Sequence, residues 1–147
     1  MHSMRLTLPE LRKRVFDVVV PMRWGDMDMM GHVNNTVYFR YMEIARMDWL
    51  GSLNMGAAPK GQGPVIVNAF CNFHQELRHP GEVQVSLFVA NPGRSSFDTF
   101  YELRRTDDAT TLYASGGAKT VWIDHALRQS APLPEQLRRL IADGSTD

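Results

Sequence analysis

Apolar positions along this chain repeat with two different periods. "RVFDVVVPMRW" (14–24) is rich in valine and reads as a strand, with Pro21 marking a sheet edge or the strand's end. From residue 35 to 56 the period lengthens. Tyr38, Tyr41, Met42, Ala45 and Trp49 keep the i, i+3, i+4, i+7, i+11 spacing of one helix face. Val37, Ile44 and Met47 spread apolar surface onto other faces, so this helix is expected to be covered on more than one side. Asn34 predicts its N-cap, and Gly51 or Gly56 its stop. After a loop at 58–64, four strand-like stretches follow at 65–73, 82–90, 96–105 and 111–123. Two of them alternate cleanly: Val83, Val85, Leu87 and Val89 in one, Phe97, Thr99, Tyr101 and Leu103 in the other. Gly116-Gly117 predicts a bulge or a close backbone approach. "HPGE", "NPGR" and "TDDA" supply the turns between strands, and a last helix spans 134–142.

Strand, long helix, then strands at hairpin spacing is an α+β order. It predicts a five-stranded antiparallel sheet curved around one central helix, with a short C-terminal helix. Residues 1–12 read as a loose lead-in and 13–147 as one domain, a size suited to a single core.

Composition narrows the classes further. Hydrophobic residues make up 44% of the 147, enough to fill such a core. Lys and Arg number 16 against 16 Asp and Glu, which offers no general attraction to nucleic acid or to an anionic membrane. Cys71 is the lone cysteine, so no internal disulfide forms; a reducing cytoplasm fits. The first fifteen residues lack the apolar core of a signal peptide, and no apolar run reaches the length of a membrane span. A soluble cytoplasmic protein is the expectation. The three Trp residues, Trp24, Trp49 and Trp122, read as core.

The densest chemistry is "RWGDMDMMGHVNN" (23–35), where a strand hands over to the helix. Turn-shaping aspartates, a capping Asn34 and a hydrogen-bonded His32 would explain each residue alone. The cluster as a whole asks for more, because a cap needs one side chain. A helix opening at Asn34 or Asn35 leaves its first N–H groups without helical acceptors, at the positive end of the helix dipole. Such donors polarise a carbonyl and hold the oxyanion formed on attack. Asp28 lies just upstream, and a carboxylate there is able to attack the carbonyl or take a proton from water.

"GDMDMMGHVNNTVYFRYMEIAR" resembles the signature of the 4-hydroxybenzoyl-CoA thioesterase-like hotdog proteins, through "D-x-D-x-x-G-H-V-N-N-x-x-Y" and the trailing "Y-x-E-x-A-R". The resemblance implies a hotdog fold and a homodimer or homotetramer, with sheets joined edge to edge and active sites between subunits. It implies hydrolysis of an acyl-CoA thioester with no cofactor, coenzyme A being part of the substrate, and no nucleic-acid or membrane partner. The catalytic aspartate falls on Asp28, and the carbonyl-polarising amide on Asn35. His32 matches a histidine of the similar plant acyl-ACP thioesterase motif, where it would orient groups or water; the asparagine of that motif falls on Met30. Asn34, Tyr38 and Asn68 are expected to contact substrate, Asn68 across the dimer. "NPGRSSF" resembles a family loop near the coenzyme A nucleotide, so Arg94, Ser95 and Ser96 are candidate phosphate contacts, against an ordinary hairpin with a solvated arginine. Arg78 and His79 are weaker candidates of the same kind.

Asp26 is assigned a structural role, accepting backbone N–H groups in the turn. Glu43 is a rival base, but it stands more than two helical turns beyond the first amides and is expected to pair with Arg46 or Arg40. Other readings are weighed beside this one. "DMDMM" after a strand resembles the opening of haloacid-dehalogenase-type phosphatases, but those need a parallel sheet and later motifs that this chain lacks. Asp26, Asp28 and His32 are a conceivable metal set. A non-catalytic acyl-CoA-binding protein and a hotdog hydratase or dehydratase remain alternatives.

Overall fold

Alternation of apolar and polar residues drives the sheet, and its inner face wraps the long helix. The structure is a computed structural model and describes residues 4–55 and 61–142. Strands β1 (Lys13–Pro21), β2 (Gln62–Phe73), β3 (Glu82–Ala90), β4 (Ser96–Arg105) and β5 (Ala114–Asp124) pair antiparallel in the order β1-β3-β4-β5-β2. A two-residue β6 (Gln129–Ser130) pairs with β5, making six strands rather than the expected five. Helices α1 (Asn35–Ser52) and α2 (Glu135–Ala142) complete the α+β hotdog architecture. β1 is an edge strand, in keeping with Pro21, and β2 is the other edge.

The expected helix stripe is buried: Tyr38, Tyr41, Met42, Ala45 and Trp49 face the sheet. Opposite them lie Val83, Val85, Leu87, Val89, Phe97, Tyr101 and Leu103, also buried. Among the described residues nothing covers the helix on its other flank, where Phe39 and Met47 stay exposed. α1 runs through Gly51 and closes at Asn54, whose φ of 60° supplies the left-handed turn, while Met55 N–H donates to Leu50 O at 2.8 Å. The other stop candidate, Gly56, and residues 58–60 of the expected loop lie outside the described residues. Gln62 to Pro64, also assigned to that loop, belong to β2.

Two expectations give way. Trp24 is 79% exposed, whereas Trp49 and Trp122 are core. Residues 4–12 have neither helix nor strand, yet they are strapped across the outer sheet face. Leu6 N–H donates to Asn72 Oδ1 (3.2 Å), Asn72 Nδ2 donates to Leu6 O (2.7 Å), and Arg12 bridges to Glu102 (2.8 Å) over the Phe88 ring. Gly116-Gly117 is a close approach without a bulge; the register shift in this part of the sheet lies at Ile66/Asn68 instead. A Cβ on Gly116 would meet Met42 Cε at 2.5 Å and Phe70 O at 2.6 Å.

Candidate active site

The mouth of α1 is built by the loop that follows β1. A short helical turn at Trp24–Asp26 leads into a bridge between Met27 and Val33, which folds residues 28–32 into a tight loop. Asp28 N–H donates to His32 O (3.0 Å), and Gly31 N–H donates to Asp28 O (3.1 Å). Asp28 is thereby turned back toward the helix start. Val33 N–H donates to Leu77 O (2.8 Å), so the segment after β2 is stitched against this loop.

The two aspartates of the motif have different surroundings. Asp26 borders the cleft on the flank of α1 but serves the fold through one oxygen: Oδ2 accepts from Tyr41 O–H (2.7 Å) and Arg23 N–H (2.9 Å), and its carbonyl accepts from Asn34 N–H (3.0 Å). Burial and then Asp26 push the Tyr41 hydroxyl well above the ordinary tyrosine value, so it stays a proton donor. Asp28 faces open space. Its Oδ1 accepts from Met30 N–H (2.9 Å), and its Oδ2 from Asn34 Nδ2 (3.3 Å).

At the helix start, Thr36 N–H is capped by Asn34 Oδ1 (3.0 Å), and Val37 N–H donates to Asn34 O (2.9 Å). Among the described residues, the Asn35 N–H meets no acceptor. Asp28, His32, Asn35 and Tyr38 line one wall of a cleft of about 320 Å³. Phe73, His74, Gln75 and Glu76 line the facing wall. Asp28 also borders a second, apolar trough of about 650 Å³ framed by Trp24, Met27 and Met29. The arrangement places a carboxylate and an unspent amide on the same cavity, which is the chemistry of attack on a carbonyl with the oxygen held.

The facing wall went unrecognised at the sequence level. The polar run "HQE", directly behind a strand, was its one local signal. His32 Nε2 sits 3.8 Å from Glu76 Oε1, and Glu76 also pairs with Arg78 at 2.7 Å. The Arg78 hydrogen bond, then the His32 charge, holds the Glu76 carboxyl below its ordinary value. His74 Nε2 lies 2.9 Å from Ser115 Oγ; burial, with the Arg5 charge, lowers the pKa of that imidazole. Tyr38 O–H accepts from Leu77 N–H (3.3 Å), and burial raises the pKa of that phenol. Tyr38 stacks edge-on against Phe73 at 4.8 Å. Arg78 is thus an ion-pair partner within the wall, and His79 donates its N–H toward Met27 Sδ (3.4 Å).

Arg94, Ser95 and Ser96 do not join this cleft within one chain. The cleft lies where β1 ends and β3 begins, since Met22 N–H donates to Gly81 O. The 91–95 turn lies at the opposite end of the nine-residue β3, roughly 30 Å away at strand rise. That turn is pinned: Arg138 Nη2 donates to Gly93 O (2.9 Å) and Arg94 O (2.7 Å), leaving the Arg94 side chain exposed. Asn68 is exposed on the β2 edge at the register shift, not buried as its apolar neighbours suggested. Glu43 borders a different cleft of about 590 Å³ on the flank of α1 and pairs with Arg40 (3.5 Å), while Arg46 donates to Tyr101 O–H (2.9 Å). Burial pushes the Cys71 thiol up to about 12. Among the described residues, no group of three or more His, Cys, Asp or Glu side chains is placed to hold a metal ion, and no helix is long and apolar enough to cross a membrane.

The family model described as the thioesterase-like superfamily matches residues 22–141. A solved protein from Pseudomonas aeruginosa, named as a candidate thioesterase, is 36% identical, with a TM-score of 0.85 over 88% of this chain and 100% of its own. One from Xanthomonas campestris, named as a candidate acyl-CoA thioesterase, is 35% identical, with a TM-score of 0.73 over 82% of this chain and 99% of its own. The uncharacterized protein YsmA of Bacillus subtilis (strain 168) is 28% identical over 82 residues, so this chain spans 56% of that relative's length.

Proposed function

This chain belongs to the thioesterase-like superfamily, and we propose that it hydrolyses an acyl-CoA thioester to a free carboxylic acid and coenzyme A in the cytoplasm. The observation that supports the reading is that the Asp28 side chain and the unspent Asn35 N–H border one cleft. The thioester carbonyl oxygen accepts from Asn35 N–H, at the positive end of α1. Asp28 is the nucleophile or the general base that activates water, and the bond to sulfur breaks to release the thiol. His32 orients water or substrate from the same wall, with Tyr38 at the side of the acyl group. No metal or redox group enters the scheme; coenzyme A arrives as part of the substrate.

The reading includes a homodimer or homotetramer, with acyl-CoA as the sole small-molecule partner. Ser96 lies across from Val121, and Val121 across from Val65, so the Arg94–Ser96 turn sits near the Gln62 end of β2. The cleft sits near the Phe73 end. Antiparallel pairing of two β2 edges therefore carries one subunit's turn toward the other subunit's cleft. Arg94, Ser95 and Ser96 then serve a coenzyme A phosphate held by the neighbouring subunit, and Asn68 faces the junction.

Thiol release from a panel of acyl-CoA esters, varied in chain length and aromaticity, tests the proposal with the unaltered protein and Asp28→Asn. Turnover by the first and its collapse in the second is the expected result. Equal turnover in both removes Asp28 from the mechanism. Micromolar binding with no hydrolysis across the panel would point to an acyl-CoA-binding protein instead.

A further inference from the structure

We infer that Asn34 is a positioning residue for Asp28, through which one side-chain amide sets both halves of the site; this rests on the thioesterase reading above. The two ends of the Asn34 amide do different work. Its Oδ1 accepts from Thr36 N–H (3.0 Å) and from Thr36 Oγ1 (2.6 Å). Those two bonds fix which way the amide points, because only the oxygen end accepts. The nitrogen end is then directed at Asp28 Oδ2, 3.3 Å away. The other carboxylate oxygen is held by Met30 N–H (2.9 Å), so both oxygens of Asp28 are tethered. The backbone of Asn34 is anchored as well, its N–H donating to Asp26 O (3.0 Å).

Capping alone does not call for asparagine. Serine and aspartate cap about as well, since each offers an oxygen to the first-turn amides. Among these, asparagine alone carries its acceptor for the helix and its donor for a carboxylate on separate atoms of one rigid plane; a serine hydroxyl has both on a single oxygen nearer the backbone. The next residue supplies the unspent N–H. The spacing between attacking carboxylate and carbonyl-holding amide is therefore set through Asn34, which is bonded to its neighbours rather than reserved for substrate.

Three variants separate the roles: Asn34→Ser keeps an oxygen cap and draws its one donor back onto that capping oxygen, away from Asp28, Asn34→Asp keeps the cap and sets a second carboxylate against Asp28, and Asn34→Ala removes both. Steady-state kinetics and thermal melting are measured on each beside Asp28→Asn. The expected result is that Asn34→Ser melts close to the unaltered protein yet loses about tenfold to a hundredfold in kcat, with KM within about twofold, the pattern of lost alignment. Asn34→Asp should lose more activity than Asn34→Ser at similar stability. A normal kcat in Asn34→Ser overturns the inference, as does a loss confined to KM, which would mark a substrate contact. A collapse in Asn34→Ala alone, with both capping variants active, would reduce Asn34 to a cap. If the unaltered protein turns over no acyl-CoA, the thioesterase reading falls; if Asp28→Asn is fully active, Asp28 leaves the mechanism and this inference goes with it; if Asp28→Asn is inactive while Asn34→Ser is normal, only this inference does.

Discussion

Asp28 stands over an open cleft at the mouth of α1, and Glu43 stands over another on its flank. The flank cleft beside Glu43 is about 590 Å³, while Asp28 borders a cleft of about 320 Å³ and a trough of about 650 Å³. Its arginines are already committed, Arg40 to Glu43 and Arg46 to the Tyr101 hydroxyl. The N–H groups around Glu43 lie inside α1 and are spent on carbonyls four residues back. At the mouth the helix has run out of its own acceptors, and the Asn35 amide is left over. The difference teaches that cavity size and an acidic side chain are not enough for attack on a thioester. On the proposed reading the mouth adds a fixed donor where negative charge would develop, and a helix supplies that only at its start.

The sharpest way to break this comparison is to exchange the charge at each carboxylate in turn. Asp28→Asn keeps the shape of the side chain and removes its ability to attack or to take a proton. It is expected to lower kcat by about two to four orders of magnitude, the span a positioned acid or base contributes. Melting should fall modestly, because the amide of the variant keeps an oxygen for Met30 N–H but sets an NH2 against Asn34 Nδ2. Activity surviving in this variant would shift attention to the flank.

Next in size is a change in the sheet behind Met42, which lines the flank cleft. Gly116 lies against Met42 and the Phe70 carbonyl with no room for a methyl group. Gly116→Ala is expected to cost about 1 to 3 kcal/mol of stability, as overpacking does, while the folded fraction keeps its turnover. A melt combined with active-site titration would show whether strain on the flank reaches the mouth. Comparable in size is Tyr41→Phe. Tyr41 leaves the sheet-facing stripe to donate to Asp26 (2.7 Å), tying the helix body to the turn that carries Asp28. Loss of a hydrogen bond to a carboxylate predicts about 1.5 to 3 kcal/mol. A modest fall in kcat should accompany it if that turn relaxes.

The same contrast explains what could be read from the sequence. Every residue of the mouth from Asp28 to Tyr38 lies within eleven consecutive positions, so motif and helix-start logic reach it. β3 and β4 appear with the expected bounds, because period-two alternation runs between strong turn signals. The facing wall at 73–76 arrives through the Val33–Leu77 bond, a pairing with no local trace. β5 begins at Ala114, not at residue 111, since Thr111 is held back in the turn by Asp108 (3.0 Å). β6 has two residues and hence no period to detect. Trp24 shows that apolar character alone does not say which side of the surface a ring occupies: next to Asp28 it frames a trough rather than filling the core.

Glu43→Gln carries the smallest expected effect and tests the comparison from the other side. Glu43 and Arg40 are both largely solvent-exposed, with side-chain exposures of 55% and 71%, so their pair contributes little to stability. The variant should melt within about one degree of the unaltered protein and keep kcat and KM within about twofold. The measurement is paired with the mass of the protein in solution, because Phe39 and Met47 leave this flank of the helix exposed and a second subunit packed there would bring its own groups to Glu43. A loss of tenfold or more in kcat in Glu43→Gln, with Asp28→Asn still active, would mean that the neighbouring subunit supplies to the flank the donor that a single chain offers only at the helix mouth. The working carboxylate would then be Glu43.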